Sequence, residues 1–180
     1  MGFFNSLKNV LINGDFVGRD KIVNMAEPTQ LMLLQEEYKA EFKNNETCNE
    51  FIDELNHFNT KRTEIRDLEE KLTSAGYEGF IEIGIELKQL VSMLIVKNQH
   101  YKSAQKIIAY LLSDIHSIFI AKIKPQLKDK ITDDQVLRLF HLHIESVINQ
   151  KLGINALDIY NRQLQGMIYF LTGNCHLEWE

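Results

Sequence analysis

Phe80-Ile81-Glu82-Ile83-Gly84-Ile85-Glu86-Leu87-Lys88-Gln89-Leu90-Val91-Ser92-Met93-Leu94-Ile95-Val96 and its counterpart Ile107–Ile123 are the most apolar windows of the 180-residue chain, and their reading decides the fold. Glu82, Glu86 and Lys88 interrupt the first; Asp114, His116 and Lys122 interrupt the second. Neither offers the roughly 20 clean apolar residues of a membrane span. Both therefore read as core helices of a protein expected to be cytoplasmic, with helices over about 80–98 and 101–123. Pro125 is expected to stop the second, because it lacks the N–H that a helix interior needs.

The neighbouring sequence extends the helical pattern in both directions. Leu31, Leu34, Tyr38 and Phe42 recur at helical spacing after Pro28, and predict a helix to about Asn44. Phe51, Ile52, Leu55, Phe58, Ile65, Leu68 and Leu72 form a stripe that predicts one helix over 50–75, capped by Asn49 and stopped at Ser74-Ala75-Gly76. Tyr77-Glu78-Gly79 reads as a hinge. Thr132 caps a helix over 133–151, with Asp133 and Asp134 favourable beside its N-terminus. Gly153 closes that helix, and the last runs over 157–172 with Gly173-Asn174 as its cap.

The first 25 residues differ. Val10-Leu11-Ile12 is a short β-type run, followed by Asn13-Gly14, the favoured pair for a tight hairpin turn. Asp15-Phe16-Val17 and Lys21-Ile22-Val23 continue the pattern around Gly18-Arg19-Asp20. The expected fold is mainly α: a bundle of about five to six helices with a short N-terminal β-hairpin element. The parts are a β element at 1–25, an acidic helical pair at 26–76 and a helical bundle at 77–180.

A net charge of −5 gives no global electrostatic case for nucleic acid. The charge is uneven. Residues 27–86 carry fifteen Asp or Glu against six Lys or Arg, whereas residues 97–130 carry seven Lys against two Asp. Two solvated helix faces, or contact between an acidic and a basic surface, would each account for this.

The sequence assembles no recognisable catalytic or metal-binding motif. His141 and His143 lie two apart on a helix and point in different directions, so they cannot chelate one ion. His143-Ile144-Glu145 matches half of a zinc deaminase site, but the P-C-x-x-C half is absent. Cys175-His176 has no assignable orienting group and reads as a packed thiol beside an imidazole. No cofactor, no metal and no enzymatic activity are expected. A small hydrolase with unrecognised carboxylates is the reading from the enzyme class.

Two stretches carry a resemblance. Ile12-Asn13-Gly14-Asp15-Phe16-Val17-Gly18-Arg19-Asp20-Lys21-Ile22 is similar to a G-D-x-V-G-G-D-K-I element found near the N-terminus of many bacterial conflict-system proteins, with Arg19 in place of the second paired glycine. Gly166-Met167-Ile168-Tyr169-Phe170-Leu171-Thr172-Gly173-Asn174-Cys175-His176-Leu177-Glu178-Trp179 resembles the ending of C-terminal domains in bacterial ABC-three-component systems, the group that includes Lamassu-like phage defence.

The resemblance implies a non-catalytic accessory subunit of an antiviral complex, joined to an SMC-like ABC ATPase or a nuclease effector. The alternative is a self-assembling structural or regulatory helical protein unrelated to defence. The expected partners are protein subunits, in a homo-oligomer or hetero-complex, with no membrane. The expected interaction residues are Asn13, Gly14, Asp15, Phe16, Val17, Gly18, Asp20, Lys21 and Ile22, with Gly166, Tyr169 and Trp179 at the other end. Gly166 lets a neighbour approach closely, while Tyr169 and Trp179 offer large amphipathic area. Trp179 is either tucked into the domain's own groove or presented to a partner.

Overall fold

The structure is a computed structural model that describes residues 28–60 and 66–180. Helix makes up 74% of them, and no strand occurs among them. The expected β-hairpin and the interaction residues from Asn13 to Ile22 lie outside the described residues.

Seven helices follow one another. They are α1 (Gln30–Asn44), α2 (Asp53–Asn59), α3 (Leu68–Ala75), α4 (Ile81–Asn98), α5 (residues 102–127), α6 (residues 133–152) and α7 (Asn161–Gly173). Local chemistry fixes most ends. The Thr29 hydroxyl accepts from Met32 N–H at the start of α1. Asp67 and Glu70 form a reciprocal capping box on α3, as do Thr132 and Gln135 on α6. Gly76, at φ +79°, ends α3 in the left-handed conformation that glycine adopts without strain.

Three expectations need correction. The single helix expected over 50–75 is two helices. Thr60 turns extended after Asn59, and Asp67 supplies a fresh N-cap to α3. Asn49 caps neither: α2 starts after Ile52, which has no side-chain cap bond. Pro125 does not stop α5. The turn Phe119–Ile123 is a π-turn, in which Lys124 N–H donates to Phe119 O five residues back. Pro125 then falls in the first turn of Lys124–Leu127, where its missing N–H costs nothing. A second π-turn, Phe140–Glu145, interrupts α6 in the same way. Helix α7 starts at Asn161, four residues later than expected.

The core is one contiguous cluster running from Leu31 to Trp179, so α1 and α2 pack on the same interior as the rest. Its centre is the crossing of α4 and α7. A Cβ on Gly166 would stand 2.5 Å from Leu87 O and 2.8 Å from Val91 Cγ2, and one on Gly84 would stand 2.9 Å from Tyr169 Cδ1. The two helices thus touch through glycine.

Helix α1 lies across α5 and is fixed at both ends by polar side chains. Buried Gln35 donates to Leu152 O (2.6 Å) and accepts from Ala156 N–H (2.7 Å). Glu41 accepts from Ser103 N–H (3.1 Å) and from its hydroxyl (2.5 Å), which caps α5 from another helix. Gln105, fully buried, accepts from Ile52 N–H (2.7 Å) and donates to Glu50 O (3.0 Å), and so holds the start of α2.

Candidate protein-interaction site

The three C-terminal residues expected at an interface are inside the molecule. Trp179 is 1% exposed. The tail reaches back because Cys175, at φ +67°, reverses the chain after α7, and His176 N–H closes on Leu171 O at 2.8 Å. The indole then sits among Tyr77, Phe80, Phe119, Phe140 and Tyr169, with ring centroids 5.6–6.1 Å away. Its Nε1 donates to Thr172 Oγ1 at 2.9 Å, so burial leaves no polar atom unsatisfied.

Of the two alternatives for Trp179, the structure shows the tucked one. Tyr169 stacks on the indole and is equally buried, and burial pushes its phenol pKa up, with Asp133 adding to the effect. The close approach expected at Gly166 is to α4 of the same chain. None of the three offers its surface to a partner, because folding has already used it.

A polar clasp holds the tail on α3. The buried Lys71 Nζ donates to Thr172 O and Leu177 O, both at 3.0 Å, and pairs with Glu178 at 2.9 Å. Arg66 bridges Glu178 (3.0 Å) and Glu180 (2.5 Å), and Ser74 also donates to Glu180. Hydrogen bonds from Ser74 and Arg66 lower the Glu180 pKa from its ordinary value.

The titratable residues that do converge serve structure. Glu145 is buried on the second π-turn, where it accepts from Asn161 Nδ2 (3.0 Å) and Gln165 Nε2 (2.5 Å) and faces His141 Nδ1 at 3.0 Å. It joins α6 to the start of α7. His141 is exposed and His143 half-buried. Cys175 is buried, with Sγ 3.7 Å from Arg66 O, and the His176 ring packs on His57 and Phe58. Among the described residues, no group of three or more His, Cys, Asp or Glu could hold a metal ion.

Among the described residues, a groove of about 660 Å³ lies open between α1, α2 and α5. Leu33, Leu34, Ile52, Phe58, Ala109 and Tyr110 supply its apolar lining, and Glu37, Glu54 and Lys106 stand among them. Leu33 remains 50% exposed. The volume lies in the range of ligand sites, roughly 300–1,000 Å³. Sequence reasoning missed this feature, although one signal was present. Leu31-Met32-Leu33-Leu34 puts four apolar residues in a row on a helix, more than one buried face can cover. Leu31 and Leu34 face the core, while Met32 and Leu33 do not.

Residues 67–179, more than half of the chain, match the model of C-terminal domain 9 of the ABC-three-component systems. The chain belongs to that family. It is a component of an ABC-three-component system, and such a system has further protein components for it to work with. The matched ABC-three-component domain holds α3–α7, the aromatic plug and the Lys71 part of the clasp; α1 and α2 precede it. No curated protein and no solved structure matches the chain. Among the described residues, no helix is long and apolar enough to cross a membrane.

Proposed function

We propose that this chain is a non-catalytic, protein-binding subunit of a Lamassu-like antiviral ABC-three-component system, joining an SMC-like ABC ATPase or a nuclease effector. One observation carries the reading. The family domain closes its own aromatic core with Trp179, while, among the described residues, the helices in front of it leave an apolar groove uncovered on the joint surface. A subunit that acts by contact needs such a surface, and contiguous exposed apolar area is characteristic of interaction sites. The converging side chains support the same role. Glu145 and Lys71 are each engaged by several partners inside the fold, which leaves neither poised for acid–base work.

The test is co-expression of the full chain with the ABC ATPase and effector proteins encoded beside it. A complex that co-elutes at fixed stoichiometry, together with loss of phage resistance when this chain's gene is deleted, is the expected result. A full chain that elutes alone, with resistance unchanged by the deletion, would overturn the proposal.

A further inference from the structure

The groove between α1, α2 and α5 has a charge pattern that specifies its occupant. Four carboxylates surround the apolar lining: Glu37 and Glu54 in the groove, with Glu50 and Asp53 in the adjoining hollow that shares Ile52. The cations on the same walls are Lys102 and Lys106, so carboxylates outnumber them two to one. None of the six forms an ion pair with a described residue. Other surface charges do find counter-ions, as in Arg162–Glu86 (2.5 Å) and Lys151–Asp114 (2.7 Å), so the excess of carboxylate at the groove, rather than the lack of pairing alone, sets its character. The acidic helices also meet the lysine-bearing helix α5 here, yet they are joined by apolar packing and by Glu41 and Gln105 rather than by ion pairs.

Resting on the protein-binding reading above, we infer that this groove receives an amphipathic helix of a partner subunit, with an apolar stripe flanked by Lys or Arg. The stripe covers Leu33, Phe58 and Tyr110. The basic flanks meet Glu37 and Glu54, neither of which forms an ion pair with a described residue. Helix-in-groove recognition uses this combination: an apolar face gives affinity, and rim charges give orientation and selectivity. The α1 and α2 walls lie outside the matched residues 67–179, and the α5 wall lies within them. The family domain thus supplies one side of the site, and this chain's preceding helices supply the side that bears the carboxylates.

The experiment uses the full chain and two fluorescein-labelled helical peptides with the same leucine stripe, one flanked by lysines and one by glutamates. Fluorescence anisotropy is expected to show the lysine peptide binding at least about tenfold tighter, a difference of about 1.4 kcal/mol. Leu33→Asp should weaken it at least about tenfold. The double variant Glu37→Lys, Glu54→Lys should abolish or reverse the preference between peptides, which a merely structural role would not do. Met93→Ser, on the exposed face of α4, should change neither. Equal binding of the two peptides, binding unaffected by Leu33→Asp, or no binding of either peptide overturns the inference. So does a full chain that is dimeric by light scattering and becomes monomeric on Leu33→Asp, because the occupant is then a second copy. The two readings fail separately. If the Leu33→Asp chain still assembles with the ABC ATPase, the groove assignment falls while the subunit role stands; if the unaltered chain never assembles, the subunit role falls.

Discussion

The tail end of the molecule and the α1–α2–α5 groove are built from the same kinds of side chain and finish in opposite states. Around Trp179, five aromatic rings close on one indole, and Lys71 and Arg66 fasten the tail that carries it through Glu178 and Glu180. At the groove, Phe58 and Tyr110 are only half-buried, Leu33 is half-exposed, and the nearby charges have no described partner. Apolar composition therefore does not separate a residue that holds the fold from one that is available to another protein. What separates them is whether the chain itself supplies the covering element. The tail does so for the α4–α7 core, and among the described residues nothing does so for Leu33.

This contrast predicts that substitutions at the two places act on different quantities. The largest effect is expected at Trp179. Trp179→Ala removes a fully buried indole and leaves Thr172 Oγ1 without its donor. The expected cost is about 3–5 kcal/mol, from lost transfer energy and the cavity left behind. Urea denaturation should show the midpoint falling with little change of slope. A loss under about 1 kcal/mol would mean the tail is not part of the core and would erase the contrast.

Gly166 comes next. Gly166→Ala places a Cβ 2.5 Å from the Leu87 carbonyl, a backbone atom that cannot swing aside, so α4 and α7 must separate. Alanine's better helix propensity offsets about 1 kcal/mol of the resulting strain. A net destabilisation of about 1–3 kcal/mol is expected from overpacking, measured by the same denaturation. A stabilised variant would show that the helices sit farther apart than described.

The clasp should give a smaller, pH-dependent effect. Glu180 is held below its ordinary carboxylate range by Ser74 and Arg66. A carboxyl with a lowered native pKa contributes stability that is full above its unfolded value and is lost as pH falls through the native one. The stability difference between the native chain and Glu180→Gln should therefore be largest at neutral pH and vanish in acid. Because Glu180 is exposed, the difference should be small and should shrink with added salt. A difference that grows as the pH falls would contradict this assignment.

Most of the helical fold was legible in the sequence, because apolar spacing and caps are local. Thr132 and Gly76 mark helix ends through their own chemistry, whereas after Gly173-Asn174 it is Cys175 that takes the left-handed conformation. Pro125 misled because a π-turn five residues wide can absorb a proline, and the Phe119–Ile123 turn is stabilised by packing that no local pattern reveals. The stripe over 50–75 misled because Phe58 and Leu68 both face the core from separate helices. The resemblance of the last residues to an ABC-three-component domain was legible from Tyr169 to Trp179, but their burial was not. An aromatic cluster reads alike whether it is covered by its own tail or by a partner. The groove was least legible, since Leu33 and Tyr110 become neighbours only once α1 crosses α5.

Leu33 therefore gives the smallest expected stability effect and the sharpest test of the contrast. Leu33→Asp removes a side chain that folding leaves half in water, so little buried area is lost. Aspartate is the poorer helix former by roughly 0.5 kcal/mol. Position 33 lies in the first turn of α1, however, where Thr29 O accepts its N–H, and a negative charge there is favoured by a similar amount. The two contributions nearly cancel, and the variant should unfold within about 0.5 kcal/mol of the native chain, as surface substitutions usually do. Thermal and urea denaturation should be unchanged while peptide binding is lost. If Leu33→Asp instead costs as much as Trp179→Ala, the groove is covered in the free chain, and the two regions are not opposites but two parts of one core.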